Sequence, residues 1–263
     1  SEDDGSFSFE NVPYGTWVIR EIESPKGYVL SEEEISVTIS EVDEVVEIEL
    51  VNYFITGNIA LTKVDKDYPE NKLTGAVFEV YSDTNGDLDK KDGLLGEMGE
   101  VEKGIYQMDS LRYGKYLVRE KTAPTGFVLD ENVYPVSIEE NGKTYNVENE
   151  AGKGFLNEAQ KGSLKIVKTS SDGKEEGFSF RVIGDNGYDQ TFTTDKKGEI
   201  TVEGLRIGEY TVSEVSDKAS SGYILPADQK VTVKTDETVT VTMHNELRDT
   251  PKTGDDFSLG LWV

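Results

Sequence analysis

Apolar and polar residues alternate with period two along most of this chain, in short runs broken by turn residues roughly every ten positions. Ile59-Ala60-Leu61-Thr62-Lys63, Leu164-Lys165-Ile166-Val167-Lys168 and Val239 to Asn245 are such runs. The helical period of 3.6 is almost absent, so the pattern predicts an all-β fold of tandem immunoglobulin-like sandwiches.

The runs repeat. Gly15-Thr16-Trp17-Val18-Ile19-Arg20-Glu21, Gly114-Lys115-Tyr116-Leu117-Val118-Arg119-Glu120 and Gly208-Glu209-Tyr210-Thr211-Val212-Ser213-Glu214 are three versions of one strand. Gly5, Gly104 and Gly198 precede them, with Phe7 and Phe9, Tyr106 and Met108, and Ile200 and Val202 as short alternating strands between. A turn follows each: Pro25-Lys26-Gly27, Pro124-Thr125-Gly126 and, without the proline, Ser220-Ser221-Gly222. The last strands are predicted over Val46 to Asn52, Gly154 to Asn157 and Val239 to Asn245, each closing on asparagine. Only the second and third copies have an opening strand, the one that carries Lys63 or Lys168. The predicted organisation is a C-terminal half-domain over 1–56, complete domains over 57–160 and 161–248 with short connections that make a stiff rod, and an unfolded tail over 249–263. Both ends are expected to be the ends of a fragment.

Strand parity places three polar residues of each complete copy on the apolar face. Ile59, Leu61 and Lys63 share a face, as do Leu164, Ile166 and Lys168. Tyr116 and Val118 lead to Glu120, and Tyr210 and Val212 to Glu214; Phe155 precedes Asn157, and Met243 precedes Asn245. Glu21 and Asn52 are the matching pair in the half-domain. Inside an apolar core a lysine tends to the neutral amine and a glutamate to the neutral acid. Such an amine beside an asparagine amide is a nucleophile beside an electrophile. Their union releases ammonia and leaves a Lys–Asn isopeptide bond, with the glutamate as proton shuttle.

Composition narrows the alternatives. The 52 acidic and 27 basic residues give a net charge of −25, which speaks against binding nucleic acid or an anionic membrane. There is no cysteine, so disulfides, thiolate metal sites and a cysteine nucleophile are excluded. The one histidine, His244, falls on the polar face of its strand, away from any catalytic cluster. The terminal apolar run Phe257–Val263 is far shorter than the ~20 residues a membrane span needs.

Lys63-Val64-Asp65, Gly114 through Glu120, the Pro124-Thr125-Gly126-Phe127 turn and terminal Asn157 resemble the Cna B-type, or SpaA-type, family of prealbumin-like sandwiches on Gram-positive surface proteins and pilins. The resemblance covers nearly the whole chain. It implies Lys63 and Lys168 as nucleophiles, Glu120 and Glu214 as acid/base residues and Asn157 and Asn245 as electrophiles, with Glu21 and Asn52 a partial triad. Thr250-Pro251-Lys252-Thr253-Gly254 resembles a sortase sorting signal with threonine in place of the leading leucine, which implies sortase as a partner and peptidoglycan as the anchor.

The acidic run Asp83, Asn85, Asp87, Asp89 and Asp92 alternates oxygen ligands as calcium would want. Gly86 and Leu94 depart from the EF-hand pattern, so a solvated hairpin loop is the first reading there and calcium the second; no other cofactor is implied. The expected function is a wall-proximal stalk of an extracellular, wall-anchored adhesin, with a host or matrix ligand held by an upstream region. The alternatives are a sortase-polymerised pilin and a matrix- or glycan-binding module. Self-cross-linking is the only catalysis expected.

Overall fold

The computed structural model describes residues 5–83 and 93–249, and every regular element among them is a β-strand. None of these residues lies in a helix long and apolar enough to cross a membrane. The described residues up to Thr125, with Leu129–Asn157, form one compact unit; Gly126–Val128 and residues 158–249 form another.

In the first unit, β1 (Gly15–Arg20) and β2 (Glu34–Ile39) make an antiparallel pair. β3 (Thr56–Asp65), β4 (Val77–Ser82), β5 (Gly93–Glu97), β6 (Gly99–Glu102), β7 (Ile105–Arg112), β8 (Gly114–Thr122), β9 (Val133–Ile138), β10 (Thr144–Asn146) and β11 (Phe155–Asn157) make two sheets. One runs β10-β3-β7-β6, with β11 also on β3, and the other β5-β4-β8-β9. Ile59, Leu61, Tyr106 and Phe155 of the first sheet meet Phe78, Val80 and Val118 of the second in one buried core.

The second unit contains β12 (Lys161–Ser170), β13 (Ser179–Gly184), β14 (Asp189–Thr193), β15 (Glu199–Arg206), β16 (Gly208–Glu214), β17 (Tyr223–Ile224), β18 (Gln229–Val233) and β19 (Thr238–Leu247). Its sheets are β15-β12-β19-β17 and β14-β13-β16-β18. Leu164, Ile166, Val241 and Met243 face Phe180, Val182 and Val212 across the core. In both complete repeats the opening and closing strands are parallel neighbours, β3 with β11 and β12 with β19.

The first repeat departs from the sequence expectation. Val46 to Asn52 and the segment around Phe7 and Phe9 are not strands. A closing strand in the other copies hydrogen-bonds to an opening strand, and no described segment ahead of β1 offers one. The apolar side chains Phe9, Tyr14 and Trp17 remain exposed accordingly.

Two irregularities, one in each complete repeat, mark the opening strands. Each carries a register shift just after a glycine, Gly57/Ile59 and Gly162/Leu164. A Cβ on Gly162 would lie 2.1 Å from Lys234 O and 2.9 Å from Glu237 O, both rigid backbone atoms. Gly162→Ala is therefore expected to destabilise the second unit by ~1–3 kcal/mol or more, seen as a lowered urea midpoint; an unchanged midpoint would contradict this packing.

Candidate functional site

Lys63 sits on β3 opposite Phe155 of β11, and Asn157 is two residues further along that parallel strand. This diagonal relation is within reach of a long side chain on the same face. The lysine backbone is pinned from the other side, where its N–H donates to Gly104 O at 2.7 Å. Its side chain is fully buried, and Nζ closely contacts Asn157 Oδ1, donates to Phe155 O at 3.3 Å and lies 3.3 Å from Glu120 Oε1. Asn157 Nδ2 in turn donates to both Glu120 oxygens, at 3.0 and 2.9 Å. Glu120 Oε2 also accepts the backbone N–H of Asp130 at 2.9 Å. Burial lowers the Lys63 pKa to about 8 against the opposing pull of Glu120. That raises the neutral-amine fraction near neutral pH roughly 300-fold over a free lysine.

The third repeat uses the same register: Lys168 on β12 faces Met243 of β19, and Asn245 follows two residues on. Its backbone N–H donates to Gly198 O at 2.8 Å. All three polar residues are buried, and Asn245 Nδ2 donates to Glu214 Oε1 at 2.7 Å. The amine differs in aim: Lys168 Nζ donates to Thr169 O and lies 4.3 Å from the centre of the Phe178 ring. Glu214 Oε2 and Asn245 Oδ1 are buried without a hydrogen-bond partner. Burial lowers the Lys168 pKa and raises that of Glu214.

In the first repeat Asn52 Nδ2 donates to Glu21 Oε2 at 2.7 Å and to Val29 O at 3.1 Å, while the N–H of Ser31 reaches the same carboxylate oxygen at 2.8 Å. Among the described residues, no lysine is a partner of this pair.

The remaining sequence candidates fall elsewhere. Asn85, Asp87, Asp89 and Asp92 lie outside the described residues, as does the whole of Thr250 to Gly254. Asp83 ends β4's flank, its N–H donating to Lys115 O at 2.9 Å. His244 is exposed and hydrogen-bonded to Thr169 and Glu246.

Two supporting features escaped the sequence reading. Trp17, Tyr116 and Tyr210 each donate from the ring N–H or hydroxyl to the carbonyl four residues earlier, Pro13, Arg112 and Arg206, at 3.0, 2.6 and 2.8 Å. These bonds fix the turn from which the glutamate strand starts. The signal was present: all three copies use an aromatic with a donor, never phenylalanine. Asn149 grips both backbone groups of Leu156 at 2.7 Å and also donates to Asp130 Oδ2 at 2.9 Å. It thereby ties the three-residue β11 to the loop that holds Glu120.

The model of the SpaA prealbumin-like fold domain matches residues 1–53, 57–153 and 162–247. Among solved structures, the Bacillus anthracis TIE protein is similar over 93% of this chain and 44% of its own, at 25% identity and a TM-score of 0.75. This chain thus spans less than half of that protein's length. The minor pilin GBS52 of Streptococcus agalactiae aligns over 74% of this chain and 98% of its own at 19% identity, with a TM-score of 0.35. The shaft pilin SpaA of Lactobacillus rhamnosus GG aligns over 74% and 99% at 16% identity, with a TM-score of 0.32. No curated protein sequence matches the chain.

The lowered Lys63 pKa has a consequence for stability. Above about 8 the folded lysine has shed its proton, whereas the unfolded one keeps it up to about 10.5. The unfolded state then binds more protons, so stability rises with pH across that window. In an Asn157→Ala chain, where no bond to Lys63 can form, the unfolding free energy of the second repeat measured by urea titration is expected to increase between about pH 8 and 10.5, by up to ~3 kcal/mol; a flat or falling trend would contradict a neutral buried amine.

Proposed function

Since the chain belongs to the SpaA prealbumin-like domain family, we propose that it is a stalk segment of a Gram-positive surface protein whose complete repeats close their own Lys–Asn isopeptide bonds. The observation that carries this reading is one carboxyl, Glu120, touching both Lys63 Nζ and Asn157 Nδ2. The first nitrogen must lose a proton in the reaction and the second must gain one. Neutral Lys63 attacks Asn157 Cγ, Glu120 carries a proton from Nζ to Nδ2, the Cγ–Nδ2 bond breaks, and ammonia departs. The new Nζ–Cγ amide replaces the old Cγ–Nδ2 amide, so the change is the loss of one ammonia. Lys168, Glu214 and Asn245 are assigned the same roles in the third repeat. Glu21 and Asn52 are two members of a triad in the first.

The chemistry is single-turnover and the role structural, as pilin or stalk. Bonding β3 to β11, near opposite chain ends of the repeat, gives tension a covalent path that bypasses the sheets. If the loop-closure model for disulfides transfers, each bond also adds up to ~5 kcal/mol of stability. We assign Thr250 to Gly254 as the sortase recognition sequence, with peptidoglycan as its acceptor, and a Gram-positive surface as the location. The repeats at 57–160 and 161–248 are the self-closing modules.

Intact-mass measurement tests the cross-links. The full chain is expected to be lighter than its sequence by two ammonias, ~34 Da, and by one in either Lys63→Ala or Lys168→Ala. Glu120→Ala should slow closure of the second repeat by at least ~10²-fold. A full chain at its sequence mass would eliminate the self-closing reading.

A further inference from the structure

The third repeat lacks one backbone donor that the others share. Glu21 Oε2 accepts the N–H of Ser31 and Glu120 Oε2 that of Asp130, each four residues beyond the turn glycine, Gly27 or Gly126. The same count from Gly222 reaches Pro226, which has no N–H to give. The correspondence is structural as well as textual. The residue after the turn glycine bridges the residue two past the asparagine in every copy: Tyr28 with Phe54, Phe127 with Ala159, and Tyr223 with Leu247.

The effect is visible at the carboxyl. Glu120 has donors on both oxygens, whereas Glu214 Oε2 has none, and neither has Asn245 Oδ1. Two buried acceptors without a donor are costly. A carboxylate offers no donor to either acceptor, whereas a proton on Oε2 turns one of them into a donor on the same carboxyl whose Oε1 accepts from Asn245 Nδ2 at 2.7 Å.

We propose that Pro226, by withholding this N–H, keeps Glu214 a neutral acid beside Asn245 and so sets the pH range over which the third repeat closes its bond. The second clause rests on the cross-linking reading above; the first does not. The neutral acid lends its proton toward Asn245 Oδ1 as neutral Lys168 Nζ attacks Cγ; one Nζ proton then passes through the carboxyl to Nδ2, the Cγ–Nδ2 bond breaks, ammonia leaves, and the proton lent to the oxygen returns, so Glu214 ends protonated.

The charged groups around Glu214 act on it in opposite senses. Lys168 from β12 favours the anion, and Asp217 from the loop after β16 opposes it. Asp172 and Glu175 act on Lys168. Asp217 is held as a carboxylate by the N–H groups of Ala219 and Ser220, at 2.8 and 3.2 Å. Burial is the largest influence and raises the Glu214 pKa.

The test restores the donor. In a full-length Lys168→Met chain, which cannot close the third bond, the Glu214 carboxyl is titrated by carbon-13 NMR and assigned by comparison with Glu214→Gln. Adding Pro226→Ala, or Pro226→Ser to copy the first repeat, is expected to lower the midpoint by about one to two pH units, the size of one hydrogen bond to a charged group. In chains with Lys168 intact, the high-pH decline in the rate at which the third repeat loses its ammonia should move down by the same interval. An unmoved midpoint in both variants overturns the proposal even if both ammonias are lost. A third repeat that never loses ammonia overturns the cross-linking reading, while the titration still decides the role of Pro226.

Discussion

Everything at the candidate sites depends on the cost of placing an amine, a carboxyl and an amide in an apolar core. Lys63 and Lys168 are fully buried among aromatic side chains. A cation there loses most of its hydration, and one carboxylate repays only part of that loss. Each group is driven toward its neutral form or its nearest partner. In the second repeat the partners are close at hand: Glu120 collects donors from Lys63, Asn157 and the Asp130 backbone. In the third, two acceptors face a deficit of donors. The same three residue types therefore produce two electrostatic situations, in which the amine is aimed differently and the backbone donor of Asp130 has its counterpart at Pro226.

Register makes the juxtaposition possible. The lysine and asparagine strands are parallel, and each asparagine lies two residues beyond the position paired with the lysine. A shift of one residue in either strand would turn one partner to the opposite face. Several devices act against such a slip. The lysine N–H is held by Gly104 or Gly198, the opening strand is bulged at its glycine, and the glutamate strand is tethered by its aromatic donor. The second repeat has only a three-residue closing strand and adds the Asn149 clamp. The third has a ten-residue β19 pairing over eight positions with β12.

Period-two alternation made the faces legible, so Lys63, Glu120, Asn157, Lys168, Glu214 and Asn245 were readable as inward-pointing from the chain alone, and all are buried. The all-β class followed from the same periodicity. Alternation carries no information about which strand a run will pair with, and this is where reading failed. Val46 to Asn52 has the pattern of a closing strand yet forms none, because edge hydrogen bonds need a neighbour that the pattern cannot supply. Backbone donors were equally hidden: Ser31 and Asp130 matter through their N–H groups, so their differing side chains masked the equivalence. Proline is the one residue whose identity reports on that atom, which is why Pro226 could be found once the turn glycines were aligned.

An unreacted trio is a poor way to stabilise a core, since breaking a buried ion pair or leaving its members half-satisfied costs several kcal/mol. A fold that retained such residues for packing alone would gain from replacing them with apolar side chains of similar volume. In the proposed reaction, amide formation between Lys63 and Asn157 would remove the ionisable amine, expel a small polar molecule and leave a neutral group suited to its surroundings. The desolvation that makes the unreacted state expensive also lowers the Lys63 pKa toward the neutral amine, so in the proposed reaction one physical term would work in both directions: against the precursor and toward the product. Closing the proposed bond would remove the desolvation cost that burial imposes on the amine, and the core would then need Glu120 only as a hydrogen-bond partner.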